Sequence, residues 1–164
     1  MSSSDRRSVL ALLSLAPLAA CGLTPAFGTG GPAEQLLGAV HTADPTEKTG
    51  FDFVQRVEER LGRPTTPLFD LAYTITTRPV GVGITAAGAI TRFNLTGSVD
   101  WTLTRSSDGS RVTGGRAESF TSYSATGSTV AGLAAETDAG LRLMRLLADQ
   151  VVTHLVATSA AWLK

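Results

Sequence analysis

This chain of 164 residues has one cysteine, two histidines and, in Lys48 and Lys164, only two lysines. Each shortage removes a class of chemistry. A lone thiol excludes an internal disulfide framework. His41 and His154 have no cysteine or carboxylate at metal-ligand spacing, so no metal site is expected. The glycine-rich stretch 81–88, "GVGITAAG", lacks the spacing of a dinucleotide loop and lies between strands. There is no G-x-S-x-G, and Asp100, Asp108 and Glu118 form no paired-carboxylate signature, so no catalytic residue and no cofactor is expected. A formal net charge of +0 argues against nucleic acid as a partner. Long hydrophobic runs are missing too. The most apolar stretch, "SVLALLSLAPLAA", falls short of the roughly 20 residues that a membrane-spanning helix needs.

That stretch has a different reading. Arg6 and Arg7 precede it, and small residues follow it, as in a secretory leader; residues 1–20 are therefore set apart from the fold. Leu18-Ala19-Ala20-Cys21 is similar to the lipobox of bacterial lipoproteins. There the cysteine sulfur takes a diacylglyceryl group and the new N-terminus is acylated. Two or more chains, at ~0.8 kcal/mol per buried methylene, hold a protein stably on a membrane. Residues 21–35, rich in glycine and proline, read as a flexible tether. What remains, 36–164, is enough for one domain. Removing the leader takes Arg6, Arg7 and Asp5 with it and leaves a net charge near −1. The remaining cations are nearly all arginine, which suits phosphate or carboxylate, although a high genomic GC content gives the same bias.

Hydrophobic periodicity orders the domain. A weak strand is expected at 36–42. A helix follows in "TGFDFVQRVEERLGRP", capped by Thr49 with Asp52 three residues on, striped by Val54, Val57 and Leu61, and stopped by Gly62 and Pro64. From Leu68 the period becomes 2, with Phe69, Leu71, Tyr73 and Ile75 on one face. Pro79 then shifts the parity to Val80, Val82 and Ile84, which predicts a bulge or an edge at 77–79. "ITRFNLTGSVDWTLTR" alternates with Phe93, Leu95, Val99, Trp101 and Leu103 on one face, and Asp108-Gly109 signals a hairpin. The strand at 111–124 admits two facings: Val112 and Phe120 share one parity, Ala117, Thr121 and Tyr123 the other. Last comes a long helix capped by Ser128, with Val130, Leu133, Thr137, Leu141, Met144, Ala148, Val151 and Leu155 along one side. Asp138–Arg142 and Arg145–Asp149 are its i,i+4 pairs. The packing this implies is an α+β two-layer sandwich, two helices on one face of a four-stranded, mostly antiparallel sheet.

The other sheet face carries Thr74, Thr76, Asn94, Thr96, Ser98, Thr102 and Thr104. Such a surface follows from β propensity alone, or it serves to meet another polar surface without desolvating ions. Arg78 and Arg92 share this face by parity and are the candidates for binding an anionic ligand or partner.

"CGLTPAFG", "ITRFNLTG…WTLTR" and "YSATGSTVAGLAAETDAGLRLMRLLADQVVTHL" together resemble the alphaproteobacterial form of the LptE family of outer-membrane lipopolysaccharide-assembly lipoproteins. The resemblance covers nearly all of the chain after Cys21. It implies a non-enzymatic protein, anchored by lipid at the periplasmic face of the outer membrane, that sits in the lumen of the LptD β-barrel, assists barrel assembly and binds lipopolysaccharide. Only Cys21 carries over residue by residue. An auxiliary lipoprotein of an envelope ABC-type lipid transport system is the alternative that this size and compartment allow.

Overall fold

The computed structural model describes residues 33–86, 88–125 and 127–163, together with Gly28 and Gly31. A 3-10 turn at Glu34–Leu36 leads into β1 (Val40–Thr42), α1 (Lys48–Leu61), β2 (Phe69–Ile84), β3 (Ile90–Arg105), β4 (Arg111–Ser124) and α2 (Thr129–Trp162). The strands form one sheet in the order β1-β2-β3-β4. β1 pairs with β2 in parallel and the other neighbours are antiparallel. Parallel neighbours need a crossover, and α1 provides it. The α+β sandwich expected from the pattern is the architecture observed.

The first strand is shorter than its sequence pattern indicates. Residues 34–36 turn, with Ala33 and Leu36 fully buried, so the packed body takes in 33–35 as well. α1 begins one residue before Thr49: Glu47 holds the N-cap position without a side-chain hydrogen bond, and Asp52 pairs instead with Lys48 at 2.9 Å. The stripe of α1 is Phe53, Val57 and Leu61, with Val54 half-buried. Gly62 ends the helix at φ +78°, a conformation that costs glycine nothing, and donates its N–H to the Glu58 carbonyl at 2.8 Å.

Phe69, Leu71, Tyr73 and Ile75 of β2 face the helices, and so do Val99, Trp101 and Leu103 of β3. Register settles β4. Leu95 lies opposite Thr121, Val99 opposite Ala117 and Phe93 opposite Tyr123, so these β4 residues turn to the core and Phe120 turns away. Val112 sits in a bulge where the β3–β4 register shifts between Leu103 and Thr104. At the β3–β4 turn, Gly109 (φ +69°) follows Asp108, whose carboxylate accepts from the Ser110 N–H and hydroxyl at 2.9 and 2.7 Å.

Pro79 interrupts nothing: β2 runs through it and pairs it with Leu95. Beyond Leu71, where β1 ends, β2 is an edge strand, and there a missing N–H is tolerated. The irregularity lies further on, between Gly81, Gly83 and Ile84.

α2 starts at the Ser128 cap, whose hydroxyl accepts from Ala131 N–H at 3.3 Å. At 34 residues it is about 51 Å long. Its buried face is broader than the expected stripe. Ala139, Leu143, Met144, Leu147, Ala148, Val151, Val152 and Leu155 are fully buried, whereas Val130 is 79% exposed and Leu133 65%. Asp138 pairs with Arg142 as expected. Asp149 does not take Arg145; it receives Arg56 and Arg60 from α1, at 3.1 and 2.7 Å, and so ties the two helices together. No helix among the described residues is long and apolar enough to cross a membrane.

Candidate ligand-binding face

Both helices lie on the odd-numbered side of β2–β4, and the even-numbered side is bare. Cross-strand register arranges it in rows: Arg78–Thr96–Phe120, Thr76–Ser98–Glu118, Thr74–Asp100–Arg116 and Ala72–Thr102–Gly114. Facing side chains in such rows are about 5 Å apart at Cβ. The hydroxyls predicted to point away from the helices do so. Thr96 Oγ1 donates to the Arg78 carbonyl at 3.0 Å, Thr104 Oγ1 to the Asp70 carbonyl at 3.3 Å, and Ser122 Oγ to Asn94 Oδ1 at 2.6 Å.

Four arginines stand on this face, Arg78, Arg92, Arg111 (opposite Thr104) and Arg116, and they differ in state. Arg116 is committed: Nε donates to Glu118 at 2.7 Å, Nη1 to Asp100 at 3.3 Å and Nη2 to Ser98 Oγ at 3.1 Å. The Glu118 hydrogen bond and the Asp100 charge hold its pKa above the usual guanidinium value. The guanidinium groups of Arg78 and Arg92 have no hydrogen-bond or ion-pair partner among the described residues. Arg78 borders an open cavity of about 510 Å³ with Thr76, Thr96, Ser98, Arg116 and Phe120. Phe120 is 61% exposed there. Arg92 is on the same face, opposite Gly83 and Ser124, but about 14 Å from Arg78 by strand geometry and outside that cavity. The two candidate residues are therefore brought to one surface and not into one pocket.

Phe120 completes this site, and the sequence pattern does not single it out, because both parities of β4 are equally apolar. The clamp on Arg116 joins residues of β3 and β4 and is visible only once register is known. The free guanidinium supplies a planar fork for an anionic oxygen group, the ring an apolar contact, and the hydroxyls donors and acceptors between them. The surface is suited to an amphiphile with an acidic, hydroxyl-rich portion.

The other polar groupings are built around the two histidines. His41 Nδ1 lies 3.3 Å from Asp70, and Ser106 Oγ donates to the same carboxylate at 2.5 Å. The carboxylate stands between hydroxyl and imidazole, so the histidine has no contact through which to activate the serine. His154 meets the Trp101 ring edge-on at 5.2 Å. Among the described residues no three His, Cys, Asp or Glu side chains converge as metal ligands. Cys21 lies outside the described residues.

Fold and site together define a small α+β domain with one sheet face covered by helices and the other left bare. The profile of the LptE, lipopolysaccharide-assembly, family matches residues 37–155. The chain belongs to this family, and its role is in lipopolysaccharide assembly. Among solved structures, a candidate lipoprotein from Caulobacter crescentus CB15 is similar at 23% identity and TM-score 0.68, over 78% of this chain and 96% of that one. Rare lipoprotein B from Shewanella oneidensis is similar at 11% identity and TM-score 0.59, over 77% and 98%. A minor lipoprotein from Acinetobacter baumannii gives 14% and 0.54, over 73% and 90%. At these identities the likeness is one of fold. No curated protein sequence matches the chain.

Proposed function

We propose that this chain is a non-enzymatic outer-membrane lipoprotein, held at the periplasmic face by diacylglyceryl and acyl groups on Cys21. In this reading it plugs and assists the assembly of an LptD-like β-barrel and binds lipopolysaccharide during delivery to the outer leaflet. The observation that carries the binding role is the unpartnered Arg78 guanidinium beside exposed Phe120 in a field of hydroxyls. Lipopolysaccharide offers the matching chemistry: phosphate, sugar hydroxyls and acyl chains. Arg92, also free and on the same face, supplies a second positive point for a ligand long enough to reach both. A face low in carboxylates, whose one central arginine is already neutralised by Asp100 and Glu118, also suits burial against the wall of a barrel.

The test is lipopolysaccharide binding by the purified protein. Arg78→Glu lowers affinity at least tenfold, about 1.4 kcal/mol; Phe120→Ala and Arg92→Glu lower it less, and all three keep the parent circular dichroism. Unchanged binding by Arg78→Glu dismisses the site. For the partner, the lipidated protein in mild detergent co-purifies with a stoichiometric β-barrel. Recovery with an inner-membrane ATPase complex instead replaces the barrel by the lipid-transport alternative.

A further inference from the structure

Two segments of the chain have no acidic, basic or histidine side chain, 79–91 and 119–135, in a sequence that is 17% charged. The fold brings them to one end. Ser124 pairs with Arg92, and the Ala125 N–H donates to the Thr91 carbonyl at 2.9 Å, so the start of α2 stands beside the β2–β3 turn. Val80, Val82, Ile84, Ile90, Val130 and Leu133 are between 41% and 79% exposed there. Open apolar surface of this extent serves contact with a protein or with a membrane.

The backbone favours the membrane. Lipid tails offer no hydrogen bonds, so a turn that enters them has to satisfy its own polar groups. Here Thr85 N–H donates to the Ala89 carbonyl at 2.9 Å, Gly88 N–H to the Thr85 carbonyl at 2.9 Å and Ala89 N–H to Thr85 Oγ1 at 3.1 Å. Thr91 Oγ1 donates to the Gly83 carbonyl at 3.3 Å. Charge favours the membrane too. The first ionic group below the turn on the inner side is Arg92, level with Gly83, and its guanidinium has no partner among the described residues. It stands about 10 Å from the apex of the turn. A segment lying in a lipid interface is immersed by about 5–10 Å, which sets this arginine at the depth of the phosphates. The first acid of α2, Glu136, is about 12 Å along the helix from the Ser128 cap.

We infer that this end of the molecule inserts shallowly into a lipid membrane, with Val82, Ile84 and Ile90 among the acyl chains and Arg92 at the phosphates. A barrel wall around this end would exclude lipid, so the contact belongs to the chain before a barrel encloses it. It depends neither on acyl groups at Cys21 nor on lipopolysaccharide binding by the bare face.

The test uses the full chain with Cys21→Ser, so that no acyl group contributes, and vesicles of equal parts phosphatidylcholine and phosphatidylglycerol. A polarity-sensitive fluorophore on Ala86→Cys, in the turn, brightens on the vesicles and is quenched by quenchers placed in the acyl layer. The same fluorophore on Ser107→Cys, at the opposite end, does neither. In the Ala86-labelled chain, Ile84→Asp with Ile90→Asp lowers vesicle binding by about tenfold or more, and Arg92→Glu lowers it by about fivefold or more, while the far-ultraviolet spectrum remains native. A dark Ala86 label at millimolar lipid overturns the inference and leaves the surface to a protein partner. Brightening at Ser107 in place of Ala86, or unchanged binding by either variant, overturns it as well. So does brightening at Ala86 without vesicles that grows with protein concentration, since a second copy then covers this end.

Discussion

Single residues in this protein divide into those whose bonding is complete and those left open. Arg116 makes three hydrogen bonds, while Arg78 on the same face makes none with its guanidinium, which is why one stiffens the sheet and the other is available to a ligand. Thr42 is the converse case, a buried hydroxyl without a partner among the described residues, at a cost of about 1–3 kcal/mol. The two tyrosines give a pH signature. Burial raises the pKa of Tyr73, with the Asp44 charge adding to it, and burial raises that of Tyr123, with Glu136 adding. A phenol whose pKa is raised by folding stabilises the fold below its ordinary value of about 10, and that contribution is lost as pH climbs through the folded value. Alkaline titration followed by tyrosinate absorbance therefore shows midpoints above pH 10 for the native protein. Since these are the only tyrosines in the chain, a native midpoint at or below 10 contradicts their burial.

At the scale of elements, the seam between α2 and β3 decides how closely the layers approach. Gly97 sits beneath Leu143: a Cβ there would lie 2.8 Å from Leu143 Cδ2 and 3.3 Å from Leu147 Cδ1. Gly97→Ala forces those leucines off their positions and costs about 1–3 kcal/mol, as overpacking does. Its urea midpoint falls accordingly, and Leu143→Val in the same chain restores part of the loss. A Gly97→Ala protein as stable as the parent shows that the helix does not dock this closely. The seam between α1 and α2 is held differently. Asp149 accepts from Arg56 Nε and Nη2 and from Arg60 Nη1; this bidentate clamp makes one half-exposed carboxylate a joint between two elements.

The whole molecule is longer than its covered core. β2 and β3 have 16 residues each, about 50 Å, and the body starts at Ala33, near the end where β1 meets Phe69. The β2–β3 turn, with Val80, Val82, Ile84 and Ile90 exposed, is at the opposite end, and so are the first turns of α2. No residue of α2 before Ala139 is buried. The molecule thus has one end with a closed core and a far end with open apolar surface. Hydrogen exchange reads that gradient: amides at 133–138 exchange at least about 100-fold faster than those at 143–155, because local opening there exposes little core. Uniform protection along α2 contradicts it.

Much of this was legible in the residues alone. The period of 2 in "LFDLAYTI" and "WTLTR", the Asp108-Gly109 turn and the Ser128 cap are local signals, read by a few neighbours in the chain, and they led to the layered fold and to Arg78 and Arg92 on its bare side. The family was legible too, since it rests on ordered runs of residues. The facing of β4 was not, because a strand apolar at both parities takes its orientation from the partner it pairs with, and that partnership placed Phe120 beside Arg78. Nor could adjacency along the chain show that Arg116 would be neutralised or that Asp149 would join α1 in preference to Arg145. Periodicity specifies which side of an element is apolar; which residues meet across elements is fixed only when register and helix docking bring distant parts of the chain together.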